Sequence, residues 1–315
     1  MSHPLASPDY PQLLAEWLTP AERAESLASR AQALSFVTDD GRTLRGQLFH
    51  PLGERRGGIL IGGATGVPQG FYRAYAGWLA GRGYTVMTFD YRGIGDSRDR
   101  PLAQDPARMR DWGLQDLPAA LEVLAEQVGG APLALIGHSV GGQMIGAMPN
   151  HGRLRAAVQI ACGLGYWRGM PAAYGAMVYA LIAGLGPLLY RRLGYAPNSR
   201  IGWGEDLPRG VAEDWFRWCQ RADYFAELRT PEQPLYFDAV RLPLLSLAFT
   251  DDPIATAANV EGLLGFYPQA AIERRRLAPA GLGLRSIGHL QFFSRRMPEA
   301  LWRQPLDWLE AQLAR

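Results

Sequence analysis

Cysteine is scarce, blocks of like charge are short, and phosphate-cradling motifs are missing. Only Cys162 and Cys219 occur in 315 residues, and their separation fits neither a metal-ligand spacing nor a disulfide framework. We therefore expect no metal site and two reduced thiols, in a cytoplasm. The first ten residues lack a basic segment followed by an apolar core, so no signal peptide is expected. No run of like charge exceeds Arg274-Arg275-Arg276, which reads as the exposed part of an edge or loop, and the formal net charge is +2. Neither value gives reason to expect nucleic acid or another polyanion as partner. The glycine-rich stretch 62–67 matches neither G-x-x-x-x-G-K-[ST] nor G-x-G-x-x-G, so no nucleotide cofactor is expected.

Charge is also absent from 169–190, between Arg168 and Arg191. That length is enough to cross a bilayer. Pro171, Gly175, Gly184, Gly186 and Pro187 interrupt it, and both flanks read as parts of one globular unit. The expectation is a buried or lid helix with no stable span, leaving weak lipid contact open.

What is present is an ordinary globular composition, 48% apolar and 20% charged. The length suits one large domain with an insertion, or two domains. Residues 1–33 carry four prolines and then an Ala/Glu/Arg run, predicting an arm and one helix. Two strand-like runs, 34–38 and 43–50, flank Asp39-Asp40-Gly41, a hairpin signal. From Gly58 strands and helices alternate: strands at 58–61, 84–89, 133–136 and 156–161, helices at 71–80, 108–128 and 140–148. Such alternation implies right-handed βαβ units and a mostly parallel sheet. It stops at 163–237, which shows no clear strand. That segment holds 14 of the chain's 33 aromatic residues, close to twice an even share, which decides for an insertion with its own apolar surface. Alternation resumes with strands at 244–249 and 272–277, a short helix around 260–264 and a closing helix at 298–313.

The chemistry centres on Gly137-His138-Ser139-Val140-Gly141, a G-x-S-x-G match between a short apolar strand and a helix. This is the nucleophile elbow, a turn so tight that a Cβ at 137 or 141 would clash. It holds a serine hydroxyl at a helix N-terminus, an end that favours negative charge. Serine needs a base. Of the five histidines, His3 lies in the arm, His50 ends a hairpin strand, His138 adjoins Ser139 and points elsewhere, and His151 follows the elbow helix. His289 follows the last strand, where catalytic groups gather in this architecture. The imidazole needs an orienting carboxylate. The strand 244–249 runs into Thr250-Asp251-Asp252-Pro253, so one of Asp251 and Asp252 is that acid and the other a cap or turn former. The Val140 N–H is one oxyanion donor, and the loop 62–67 supplies the other.

These residues together resemble the α/β-hydrolase superfamily over roughly 34–313. Phe89-Asp90-Tyr91-Arg92-Gly93-Ile94-Gly95-Asp96-Ser97 resembles the segment after its fourth strand, a structural element. Ala64-Thr65-Gly66-Val67-Pro68-Gln69 with Phe71-Tyr72 resembles a bacterial subgroup of uncharacterised hydrolases related to serine aminopeptidase and monoglyceride lipase sequences. The resemblance implies an α/β-hydrolase fold with a core at 34–162 and 238–315 and a mainly helical cap at 163–237. It assigns the acid to Asp252, by the family's G-x-x-D spacing, with Asp251 as the alternative, and the loop donor to Ala64. Two positions depart from the pattern: Gly62-Gly63 stands where many members have His-Gly, and Phe249 where many have Gly. The expected function is hydrolysis of an ester, thioester or similar acyl bond in a small, hydrophobic substrate, without cofactor. The expected rivals are an acyltransferase, an aminopeptidase-like amide hydrolase holding a substrate amine with Glu205, Asp206, Glu213 or Asp214, and a non-catalytic binding protein.

Overall fold

The computed structural model describes residues 31–51, 53–228 and 235–314. The expected arm and helix lie almost wholly outside the described residues. Gln32 and Ala33, which the sequence pattern puts at the end of that helical run, belong instead to strand β1 (Gln32–Val37). Cross-strand pairing decides it: β1 runs antiparallel to β2 (Thr43–Phe49), with Gln32 opposite Leu48. The Asp39-Asp40-Gly41 turn joins the two, and Gly41 takes φ +83, a left-handed conformation open to glycine.

Strands β3 (Gly57–Gly62), β4 (Tyr84–Asp90) and β5 (Leu133–His138) have every residue buried, which is why they read as near-continuous apolar runs. They are followed by β6 (Leu154–Ile160), two-residue strands β7 (Tyr195–Ala196) and β8 (Leu207–Pro208), then β9 (Pro243–Phe249) and β10 (Ala271–Leu277). The main sheet has eight strands in the order β1-β2-β4-β3-β5-β6-β9-β10. β2 meets β4 antiparallel, and every later neighbour pairs parallel. The expected mostly parallel sheet with an antiparallel start is the observed one. β10 forms an edge blunted by charge: Arg274 meets Glu261 and Arg275 meets Glu273. β7 and β8 pair only with each other, within the segment where no strand was expected. Two residues are too few for a period of two to register in sequence.

Helices cover both faces: α1 (Arg73–Ala80), α2 (Leu117–Val128), α3 (Val140–Gln143), α4 (Ala172–Ala180), α5 (Gly186–Leu193), α6 (Arg209–Cys219), α7 (Ala257–Leu264) and α8 (Glu299–Leu313). Successive residues of a strand serve opposite faces. Leu60 therefore packs in one apolar cluster with Leu117, Leu121 and Leu124 of α2. Ile59 and Ile61 pack in the other, with Tyr75 and Trp78 of α1 and Leu306 of α8.

Two expected helices are broken. The run 108–128 contains a π turn at Trp112–Asp116. Pro118 has no N–H to continue the ladder, and the Asp116 carboxylate accepts from the Arg92 guanidinium and backbone N–H. The run 140–148 is α-helical only over α3 and then 3-10 over Met144–Ala147. Gly146 lies under the Phe237 ring, where a Cβ would stand 2.2 Å from it.

Candidate active site

β5 delivers Ser139 into a conformation few residues tolerate, φ 51 and ψ −117. Close packing enforces it. A Cβ on Gly137 would lie 2.3 Å from the Gly142 backbone, and one on Gly141 would lie 2.2 Å from the Gly62 carbonyl oxygen. The Ser139 N–H is tied to the Ile160 carbonyl of β6 at 3.1 Å. The hydroxyl is thereby held clear of the sheet at the start of α3. Val140 opens that helix, where first-turn N–H groups have no intrahelical acceptor.

The Ser139 hydroxyl lies 3.0 Å from His289 Nε2, and His289 Nδ1 lies 2.8 Å from Asp252 Oδ2. An N–H facing a carboxylate donates, so Nδ1 carries the proton and Nε2 presents its lone pair to the serine. Asp252 is buried at the end of β9. Its other oxygen accepts from the Ile254 and Ala255 N–H groups at 2.8 and 3.0 Å, so the carboxylate cannot rotate freely. An alcohol, an imidazole and a carboxylate from three separate strand ends form one hydrogen-bonded chain.

Asp251, one residue earlier, faces another way. Its Oδ2 accepts from the Ser286 hydroxyl and from the Ile287 and Gly288 N–H groups, all at 2.9–3.0 Å. Burial pushes its pKa up, but these donors outweigh that and hold it below the usual value. Asp251 thus fixes the loop that carries His289.

The Ala64 amide, expected to face the site, donates to the Tyr72 hydroxyl oxygen at 2.7 Å. This departs from the sequence reading, and the reason is a buried phenol that the motif does not encode. Tyr72 Oη also lies 2.9 Å from His138 Nδ1, and His138 Nε2 lies 2.8 Å from the His289 carbonyl oxygen. Burial, then repulsion from His289, holds the His138 pKa down to about 3. The ring is neutral, with its one proton on Nε2 toward the carbonyl. Tyr72 therefore donates to Nδ1 while accepting from Ala64. This chain links the loop after β3 to the loop after β10. Sequence reasoning missed it, having set His138 aside because it adjoins the serine and points elsewhere.

The remaining expected groups are placed as follows. His50 contacts Gln32, His151 contacts the Met148 carbonyl, and His3 is outside the described residues. Glu205 receives the Gly95 N–H and pairs with Arg98, while its own N–H donates to the Gly66 carbonyl, pinning the loop after β3. Asp206 accepts from Ser199, Glu213 pairs with Arg209, and buried Asp214 meets Arg108, Arg110 and Arg217. Burial alone would raise the Asp214 pKa, but the arginines hold it low. Asp90 accepts from the Gln69 and Asp96 N–H groups, with burial raising its pKa to about 6. Cys162 and Cys219 are buried free thiols. Among the described residues no cluster of His, Cys, Asp or Glu could hold a metal.

A family profile described as "Serine aminopeptidase, S33" matches residues 60–214. The uncharacterized protein YfhR of Salmonella typhi is 24% identical over 233 residues, 69% of this chain and 74% of that one. Among solved structures, a soluble variant of monoglyceride lipase from Saccharomyces cerevisiae superposes with a TM-score of 0.66 at 15% identity, covering 90% of this chain and 95% of the other. The Pyrococcus furiosus esterase Pf2001 gives 0.59 at 14% identity, over 94% of both chains. At such identities the structural likeness is one of fold.

Proposed function

We propose that the chain is a member of the α/β-hydrolase superfamily, a reading supported by the family profile over residues 60–214 and the shared fold, and that it is a serine hydrolase acting on an ester or related acyl bond of a small, hydrophobic substrate. The observation that carries this reading is the continuous chain from Ser139 through His289 to Asp252, at 3.0 and 2.8 Å. Ser139 Oγ attacks the acyl carbon as its proton passes to His289 Nε2. The imidazolium is stabilised by Asp252 and returns the proton to the leaving group, giving an acyl-enzyme. Water then attacks that ester, again losing a proton to Nε2, and the acid departs as Ser139 regains its hydrogen. The Val140 N–H supports the oxyanion. Ala64 joins it when the substrate oxygen replaces Tyr72 Oη as its acceptor. Neither metal nor cofactor is invoked. The segment 163–237 serves as a cap over this rim.

An aminopeptidase-like reading has the family description in its favour. It needs an acid free to hold a substrate amine. Glu205, Asp206, Glu213 and Asp214 are all engaged elsewhere, which supports acyl-ester chemistry over it. The test is a fluorophosphonate probe together with a chain-length series of p-nitrophenyl esters and amide and thioester analogues. Labelling of Ser139, lost in Ser139→Ala, with ester turnover is the expected result. Absence of labelling and turnover would leave only a binding role. Transfer to added alcohols or thiols in preference to water would make it an acyltransferase.

A further inference from the structure

The helix Ala172–Leu193 has an inner and an outer face of unlike burial but like chemistry. Gly175, Val178, Ile182, Gly186 and Tyr190 recur every three or four residues and are buried. The helix is anchored on that side: Thr256 Oγ donates to the Gly169 carbonyl at 2.6 Å, and the Phe216 ring abuts Gly186. Tyr174 also turns inward, close enough to Asp252 for that charge to add to burial in raising its pKa. The outer face should by the usual rule be polar. It is not: Met177 is 53% exposed, Leu185 51% and Leu188 59%, with alanines and glycines between them and no charge before Arg191. Only 22% of the helix's apolar stretch is buried. Contiguous apolar surface of this kind marks an interaction site.

Charge decides between occupants. Exposed Arg168 stands before the helix, and Arg191 and Arg192 close it. None of the three is in an ion pair among the described residues. The chain contains no lysine, so every fixed cation is a guanidinium, which suits phosphate oxygens. No Asp or Glu occurs between Glu126 and Glu205. Two copies of the helix packed face to face, in either direction, would set arginines against arginines. A surface of phosphate diesters offers an anion to each. We propose that the outer face of Ala172–Leu193 is a docking surface for an anionic phospholipid bilayer. The helix lies in the interfacial plane, with its apolar stripe among the acyl chains and its terminal arginines at the phosphates. It does not span, because its inner face is already packed on the protein.

The test is co-sedimentation of the full chain with vesicles of phosphatidylglycerol and phosphatidylcholine, or of phosphatidylcholine alone. Ser139→Ala is run in parallel, so that failure of docking and failure of the acyl chemistry are read separately. Expected are binding to the anionic vesicles, weaker by ten-fold or more on phosphatidylcholine. Binding to the anionic vesicles should fall roughly thirty-fold in R191Q/R192Q, at about five-fold per arginine. L185E/L188E should lose binding while keeping its far-UV spectrum and unfolding midpoint. The proposal is overturned if the wild type binds neither vesicle, or if L185E/L188E binds as before. A dimer in sedimentation velocity that L185E/L188E dissolves, without vesicle binding, assigns the face to a second copy and equally overturns it.

Discussion

At the C-terminal rim of β5, β9 and β10 the side chains that matter are polar, buried or half-buried, and mutually bonded. On the outer face of Ala172–Leu193 they are apolar, exposed and unpartnered. The two regions lie close together, joined through Thr256 and the Gly169 carbonyl. Their contrast separates two demands. The rim holds a few atoms at fixed distances, so each polar group must have a partner in the low-dielectric interior. The helix face needs area and charge at its ends, and no residue on it is individually required. Substitutions at the rim should therefore act on rate, and substitutions on the face on partition.

The largest break is at Ser139 or His289. Either residue changed to alanine should lower kcat for a p-nitrophenyl ester by about four to six powers of ten. Circular dichroism should show the fold retained. A loss under ten-fold would place the chemistry elsewhere.

Adjacent acids sharpen the comparison within the rim. Asp252→Asn should cost about 10⁴ in kcat, because the amide no longer fixes the Nδ1–H tautomer of His289. Asp251→Asn keeps an acceptor for the loop N–H groups and should cost about ten-fold or less. Its depressed pKa gives a second readout. The charge it holds contributes stability above the ordinary carboxylate range, near pH 4, and that contribution is lost as pH falls through the lower folded value. Amide hydrogen exchange at Ile287 and Gly288 should rise in Asp251→Asn, and in the wild type only under acid. Equal kinetic losses in the two variants would dissolve the distinction.

His138 predicts a smaller, pH-dependent effect. Its folded pKa of about 3 lies below the free value of 6.5, so the unfolded chain binds the proton first. Stability from this group is complete above about pH 6.5 and declines as pH falls toward 3. The slope is about 1.4 kcal/mol per pH unit. Urea titrations at pH 7 and pH 5 should show His138→Phe losing less than the wild type between the two. The same substitution strands the Tyr72 hydroxyl and the His289 carbonyl, lowering stability at pH 7 by about 1–3 kcal/mol.

The sequence showed the rim more clearly than the face, for physical reasons. Gly137 and Gly141 announce themselves because only glycine survives backbone contact at 2.2–2.3 Å. His289 follows from having few rivals, and the strand positions from apolar runs that a buried parallel sheet requires. The choice between Asp251 and Asp252 was not in the residues, because both are acids at the same strand end. It depends on which oxygen meets which N–H. Tyr72 was invisible as a partner of Ala64 and His138, since the contact joins three segments through one phenol. The π turns at 112–116 and 181–185 precede Pro118 and Pro187; Pro187 reads in the sequence as a break in the uncharged run, whereas Pro118 went unread.

The finest test lies within one helix, where inner and outer positions have similar chemistry and different surroundings. Ile182 is 2% exposed and Leu188 is 59% exposed. Truncating Ile182 to alanine removes atoms from a packed interior and leaves a cavity, which should cost about 2–5 kcal/mol. Changing Leu188 to glutamine alters a side chain that faces mainly water, and should shift stability by no more than about 0.5 kcal/mol in either direction. Both are read from urea midpoints at unchanged slope. Ester turnover in solution should follow neither change closely, because neither residue touches the Ser139–His289–Asp252 chain. A destabilisation at Leu188 matching that at Ile182 would mean that the outer face is covered by the protein itself, and the contrast between rim and face would then be one of degree. A neutral result at Leu188 together with lost vesicle binding in L185E/L188E would mean that this apolar surface contributes to docking and almost nothing to folding.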